Sequence, residues 1–254
     1  MKLNATYRAC IFFIAFLILA VFWPNAGQAL TVPTLNVQLA EADSPEKVAA
    51  VIKILFVLTV LTLAPSILIM MTAFTRLAVV FSFLRQAMGT HQAPPNQVIV
   101  GLALFLTMFI MTPVWTQINT NALQPYMAEK ISEEEALDLA SGPIRDFMFK
   151  QTRESDMALF VSIAKLDRPA NKDDVPLTAL IPAFVISELK TAFTIGFLLY
   201  VPFLIIDMVV ASTLLSMGMM MLPPIMISLP FKLMLFVMVD GWHLLVGSMV
   251  RSFN

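Results

Sequence analysis

From Val175 to Ser216 the chain is apolar almost without a break, yet it carries Glu188, Lys190 and Asp207 inside that run. A bilayer core is spanned by about 20 apolar residues of helix. Backbone groups in lipid must be satisfied within the segment, so a run of this kind is helical. A charge at the bilayer centre costs at least ~2.5–3.5 kcal/mol on insertion scales. Each of the three charges must therefore be paired, water-lined or functional, unless the assembled protein holds this segment partly out of the bilayer.

Three more apolar stretches accompany it: Val48 to Met71, Val98 to Trp115, and Ile225 to Val250. The chain is 59% hydrophobic and 13% charged, with mean hydropathy +0.83. A soluble domain averages roughly 45–50% apolar and about 25% charged, so the composition is that of a membrane protein. With a formal net charge of −1, no global basic character argues for nucleic acid.

The N-terminus has the layout of a secretory signal peptide over residues 1–29: Lys2 and Arg8, an apolar run from Cys10 to Trp23, then Gly27 and Ala29 at a cleavage site. The alternative is a short uncleaved anchor. Cleavage removes Cys10, the chain's one cysteine, and with it any disulfide, thiolate metal site or cysteine nucleophile.

Residues 30–47 read as an extracytoplasmic segment, with Ser44 and Pro45 marking a helix start. Residues 48–115 form a first apolar helical hairpin around a loop at 73–97. That loop carries Arg76, Arg85 and His91 and no acid, which places it on the cytoplasmic side. Within it, Phe74 to Leu84 is an amphipathic helix on the inner surface or a segment packed into the protein. Thr112-Pro113 is expected to end the second run. Residues 116–181 hold most of the acids and read as a small helical subdomain on the periplasmic side. There Ser132 opens a capping box before Glu133, and Gly142-Pro143 interrupts. Residues 182–254 form a second apolar hairpin around a methionine-rich turn at 217–224, whose core reads GMMMLPP from Gly218 to Pro224.

Lys232, Asp240 and His243 fall in the last apolar stretch. Asp207 or Glu188 is the expected partner of Lys232. Asp240 follows Lys232 by two turns, near one helix face and too far for a direct pair. Asp207, Asp240 and His243 suit a proton or ion relay; equally, the charges suit buried pairs that fix how helices and subunits dock. His243 beside Trp242 reads as a satisfied core or interface residue. No nucleophile elbow, HExxH, Walker loop or Cys/His cluster is present, and Glu133-Glu134-Glu135 is a solvated helix face. Neither an enzyme nor a cofactor or metal site is expected.

Several stretches carry a family resemblance. They are Ile181 to Phe193 (IPAFVISELKTAF), Asp207 to Ser212 (DMVVAS), Met217 to Pro224, Leu229 to Leu233 (LPFKL), Val239 to Trp242 (VDGW), and Met71 to Arg76 with Pro94 to Gln97. From about Val48 onward the chain resembles the FliP/SctR family, the core subunit of the flagellar and virulence type III export gate. The signal peptide resembles the flagellar branch. The resemblance implies an all-α membrane protein of long bent helical hairpins with a small outer subdomain. It implies five copies in a ring or cone with FliQ and FliR, in the inner membrane of the flagellar basal body, served from the cytoplasm by FlhA and FlhB. Unfolded flagellar substrates pass the axial pore. The methionine-rich turn is the family's constriction, carried here onto Met217, Met219, Met220 and Met221. On this reading Glu188, Lys190, Asp207, Lys232 and Asp240 serve pairing and assembly. The alternative is an ion-coupled transporter using Asp207, Lys232 and Asp240.

Overall fold

The computed structural model describes residues 45–90, 92–166, 171–219 and 222–253. The expected signal peptide, residues 30–44 of the segment after it, His91, Met220 and Met221 lie outside the described residues. Among the described residues every regular element is helical.

The chain divides after Leu55 into two units. The described part of the first is the opening of helix α1 (Pro45–Met70), where Val51, Ile52 and Leu55 are exposed. The second unit, residues 56–254, begins with the rest of α1, which continues through Pro65.

Helix α2 (Phe74–Ala87) is the centre of the second unit's core. Leu77, Val80, Phe81, Leu84 and Ala87 are all buried. Their spacing of three and four residues makes one wide apolar stripe, and two neighbours cover it. The stretch 73–97 is thus largely a packed helix, and Phe74–Ala87 goes into the protein rather than onto a membrane surface.

Helix α3 (Asn96–Ile118) runs straight through Pro113. It continues by a π-turn at Asn119–Leu123 into α4 (Gln124–Met127), giving a 32-residue rod. The expected stop at Thr112-Pro113 does not occur. Proline removes one intrahelical bond, but neighbouring hydroxyls and local helix adjustment make this tolerable in apolar helices. The bond lost is that to the Phe109 carbonyl; on either side of it Thr112 and Thr116 fold their hydroxyls onto the carbonyls of Met108 and Thr112, each at 2.9 Å.

The charged region holds α5 (Glu133–Gln151) and α6 (Glu154–Ile163). Ser132 Oγ accepts from the Glu135 N–H at 3.2 Å, closing the helix start. Gly142-Pro143 does not interrupt α5. After a 3₁₀ turn at Lys172–Asp174 comes α7 (Leu177–Ser216), 40 residues long.

The last apolar stretch is two helices, not one: α8 (Pro224–Met238) and α9 (Gly241–Arg251), bent by 63°. The elbow is Asp240, whose φ of +51° is left-handed. A side chain at Gly241 would put its Cβ 2.3 Å from the Phe236 ring, so glycine is what lets the chain pass so close at this bend. The break also separates Lys232 from Asp240, which do not share a helix face.

Two described helical rods, Asn96–Met127 and α7, are long and apolar enough to cross a membrane, and the bent α8–α9 pair makes a third if it is one span. Val51–Ile67 falls in a shorter class. Helices α2 and α7 run side by side in the same direction. Arg76 meets Glu188 near their starts, and Phe83 meets Phe193 further along. The turn after α2 then reaches α8, where Gly89 faces Ile225 and Leu229. The described parts of the turns after α2 and after α7 therefore lie at one end of the unit. Arg76, Gln151 and Ser252 lie at the other.

Candidate functional site

Three places hold the chemistry. The first is a buried guanidinium. Arg76 is 2% exposed and Glu188 is fully buried. Arg76 Nε donates to Glu188 Oε2 at 2.9 Å, and Nη2 donates to Glu188 Oε1. Nη2 also reaches Gln151 Oε1 at 2.9 Å, while Nη1 donates to the carbonyl and hydroxyl oxygens of Ser252, both at 3.0 Å. The guanidinium lies over the Phe253 ring, 3.8 Å from its centroid. One planar fork thus joins α2, α5, α7 and the segment after α9, which is what arginine's fixed donor geometry suits and lysine's does not. Of the two partners expected for Lys232, Asp207 and Glu188, it is Asp207 that pairs with it, and Glu188 is held instead by Arg76, a residue of the 73–97 stretch. The available signal was position: Arg76 opens an apolar helix, one residue before the fully buried Leu77.

The second place is the Asp207 cluster. Lys232 Nζ donates to Asp207 Oδ2 at 2.6 Å and to the Ala87 carbonyl at 3.2 Å. Ser228 Oγ donates to Asp207 Oδ1 at 2.5 Å. Lys232 is buried, and the Asp207 side chain is one-third exposed. The ammonium sits at the C-terminal end of α2, where unpaired helix carbonyls favour a cation. Ser228 carries no charge and was not anticipated; it lies one helical turn before Lys232 on α8. Asp240 and His243 are elsewhere, both more than three-quarters exposed, with His243 Nδ1 3.8 Å from Asp240 Oδ2. Asp207 finds its partners in Lys232 and Ser228, not in Asp240 or His243. Lys190 is exposed on α7.

The third place is the methionine-rich turn. Helix α7 ends at Ser216, and Gly218 takes φ +75°. The Met219 N–H bonds back to the Leu214 carbonyl at 3.0 Å. This is a helix stop closed by a left-handed glycine, and Pro223-Pro224 then starts α8. Met217 and Met219 are exposed; Met220 and Met221 lie outside the described residues. The turn thus projects its described thioethers away from the core of its own chain. Among the described residues no three His, Cys, Asp or Glu side chains cluster as metal ligands.

Comparison with known proteins bears on what this arrangement serves. The model of the FliP family matches residues 57–249. The flagellar biosynthetic protein FliP of Bacillus subtilis is 57% identical over 217 residues, covering 85% of this chain and 98% of that protein. Its namesake from Aquifex aeolicus is 54% identical, covering 88% of this chain and 92% of that protein. That of Caulobacter vibrioides is 47% identical over 247 residues, covering 97% of this chain and 91% of that protein.

Proposed function

We propose, from the premise that the chain belongs to the FliP family, that it is the pore-forming core subunit of a flagellar protein-export gate. At the coarser level it is a flagellar biosynthetic protein of the export apparatus, associated with membrane through its apolar helices. The finer reading is a ring of five copies in the bacterial inner membrane, with the 116–181 subdomain on the periplasmic side. FliQ and FliR complete the ring, and FlhA and FlhB deliver unfolded flagellar substrates from the cytoplasm. The methionine-rich turns close the axial passage. The observation that carries this reading is the family match across 57–249, which contains the Arg76–Glu188 pair, the Asp207 cluster and the turn.

Physical argument supports the gate. Turns repeated around an axis would form a collar of thioethers, with Met217 and Met219 free to face it. An apolar constriction excludes water and ions by dewetting. Methionine is unbranched and re-packs readily, so the collar can yield to a polypeptide of any sequence. Such a subunit works without a catalytic group or cofactor of its own.

The test is replacement of Met219, Met220 and Met221 by alanine in the full chain. The gate reading expects assembly to persist and the membrane to leak ions. A tight membrane with failed assembly would make the turn a packing element instead. Asp207→Asn addresses the rival ion path: an assembled gate whose export no longer responds to the proton gradient would favour it.

A further inference from the structure

We propose that the outward face of α7 around Lys190 seats the α8–α9 elbow of a second copy of this chain, with Lys190 of one copy meeting Asp240 of the next. The inference rests on the ring reading above and adds which surfaces meet. It begins from two charges that the fold leaves on apolar ground. On α7 and α8, Glu188, Asp207 and Lys232 are all paired within the chain. Lys190 is exposed and makes no ion pair among the described residues. Asp240 stands on the elbow with 77% of its side chain exposed, and among the described residues its one ionic neighbour is His243. One is a cation and the other an anion. An uncompensated charge on membrane-depth surface costs ~2.5–3.5 kcal/mol, and each supplies what the other lacks.

The two surfaces lie on different sides of one subunit. At about 100° per helical residue, Lys190 is roughly half a turn from the buried Glu188. It shares that stripe with Phe197 and with Phe193, which meets Phe83 of α2 at one edge, both exposed. The α8–α9 pair instead packs on the side of α7 that carries Phe203 and Asp207. Phe203, on which Phe236 packs, lies ~20 Å further along α7 than Lys190 and roughly 140° around it, so a copy's elbow sits away from its own Lys190 and the proposed contact is made between two copies. Such head-to-tail contact propagates around a ring. The elbow's apolar tip fits the same stripe. Val237 and Met238 are its most exposed large apolar residues, and a thioether packs well on aromatic rings. Asp240's left-handed backbone sits at the 63° bend, with its carboxylate exposed.

The experiment uses the full chain in membranes. Lys190→Asp and Asp240→Lys are each expected to lower the detergent-resistant oligomer about tenfold, equivalent to ~1.4 kcal/mol, and the double exchange to recover most of it. Independently, Lys190→Cys with Asp240→Cys in a Cys10→Ser chain should give a ladder of cross-linked copies with a short bis-maleimide. Lys165→Cys with Asp240→Cys should give none. If the unaltered chain forms an oligomer, but the double exchange recovers nothing and the ladder is absent, this inference fails and the ring reading stands. If the unaltered chain forms no oligomer at all, both fall together.

Discussion

Arg76 shows how much one side chain decides here. Removing one partner of a buried ion pair leaves the other uncompensated, at a cost of about 3–5 kcal/mol. Arg76→Ala is expected to destabilise the subunit by that amount, read as a fall in thermal stability in detergent. Arg76→Lys should recover only part of it, because an ammonium cannot serve Glu188, Gln151 and Ser252 from one plane. Paired apolar replacement, Arg76→Met with Glu188→Leu, should cost less than either single change, since buried pairs often exchange for well-packed apolar groups without loss. A double variant worse than both singles would defeat this account. This was the least legible part of the sequence. That Glu188 needed a cation followed from its setting; that the cation stood 112 residues earlier did not, because long-range pairing leaves no mark in local pattern. Asp207 and Lys232 were within reach because only a few charges share the last two apolar runs.

At the scale of elements, the helices were readable where hydrophobic length alone decides, as in α7. They were misread where proline or glycine had to be weighed. Pro113 and Pro143 lie inside α3 and α5, whereas Asp240-Gly241 ends a helix without any proline. Proline costs a helix one bond, which α3 and α5 absorb, whereas the left-handed backbone of Asp240 ends α8 outright. Glycines sort in the same way. A Cβ at Gly196 would sit 2.7 Å from the Phe83 ring, whereas one at Gly101 meets nothing within 4 Å. Gly196→Val is therefore expected to push α2 from α7 and lower stability by about 1–3 kcal/mol, the usual cost of overpacking. Gly101→Val should leave it nearly unchanged. Equal thermal shifts for the two would mean that α2 and α7 do not approach so closely.

For the second unit as a whole, the shared end of the two turns makes a prediction about sidedness. Gln92 and Leu222 are both exposed on those turns, and Glu134 is exposed on α5, whose far end joins Arg76 through Gln151. With single cysteines at these places, an impermeant maleimide should label positions 92 and 222 of the unassembled subunit from one side of the membrane. Position 134 should label from the other. Labelling of all three from one side would show that the hairpins do not cross. The expected loop at 73–97 changes meaning on this view. Arg76 is at the Gln151 end and buried, so Arg85 near the turn is the described cation left to bias orientation.

The guanidinium of Arg76 also sets an order on biosynthesis. Its partners lie 75, 112 and 176 residues further along the chain. When a ribosome has made α2, this side chain has nothing to bind, and when Glu188 emerges the site is still open on one side. The core closes only after synthesis has reached Ser252 and Phe253. A nascent subunit therefore carries an open polar pocket through most of its translation, and a chaperone or membrane insertase has that whole interval in which to hold it.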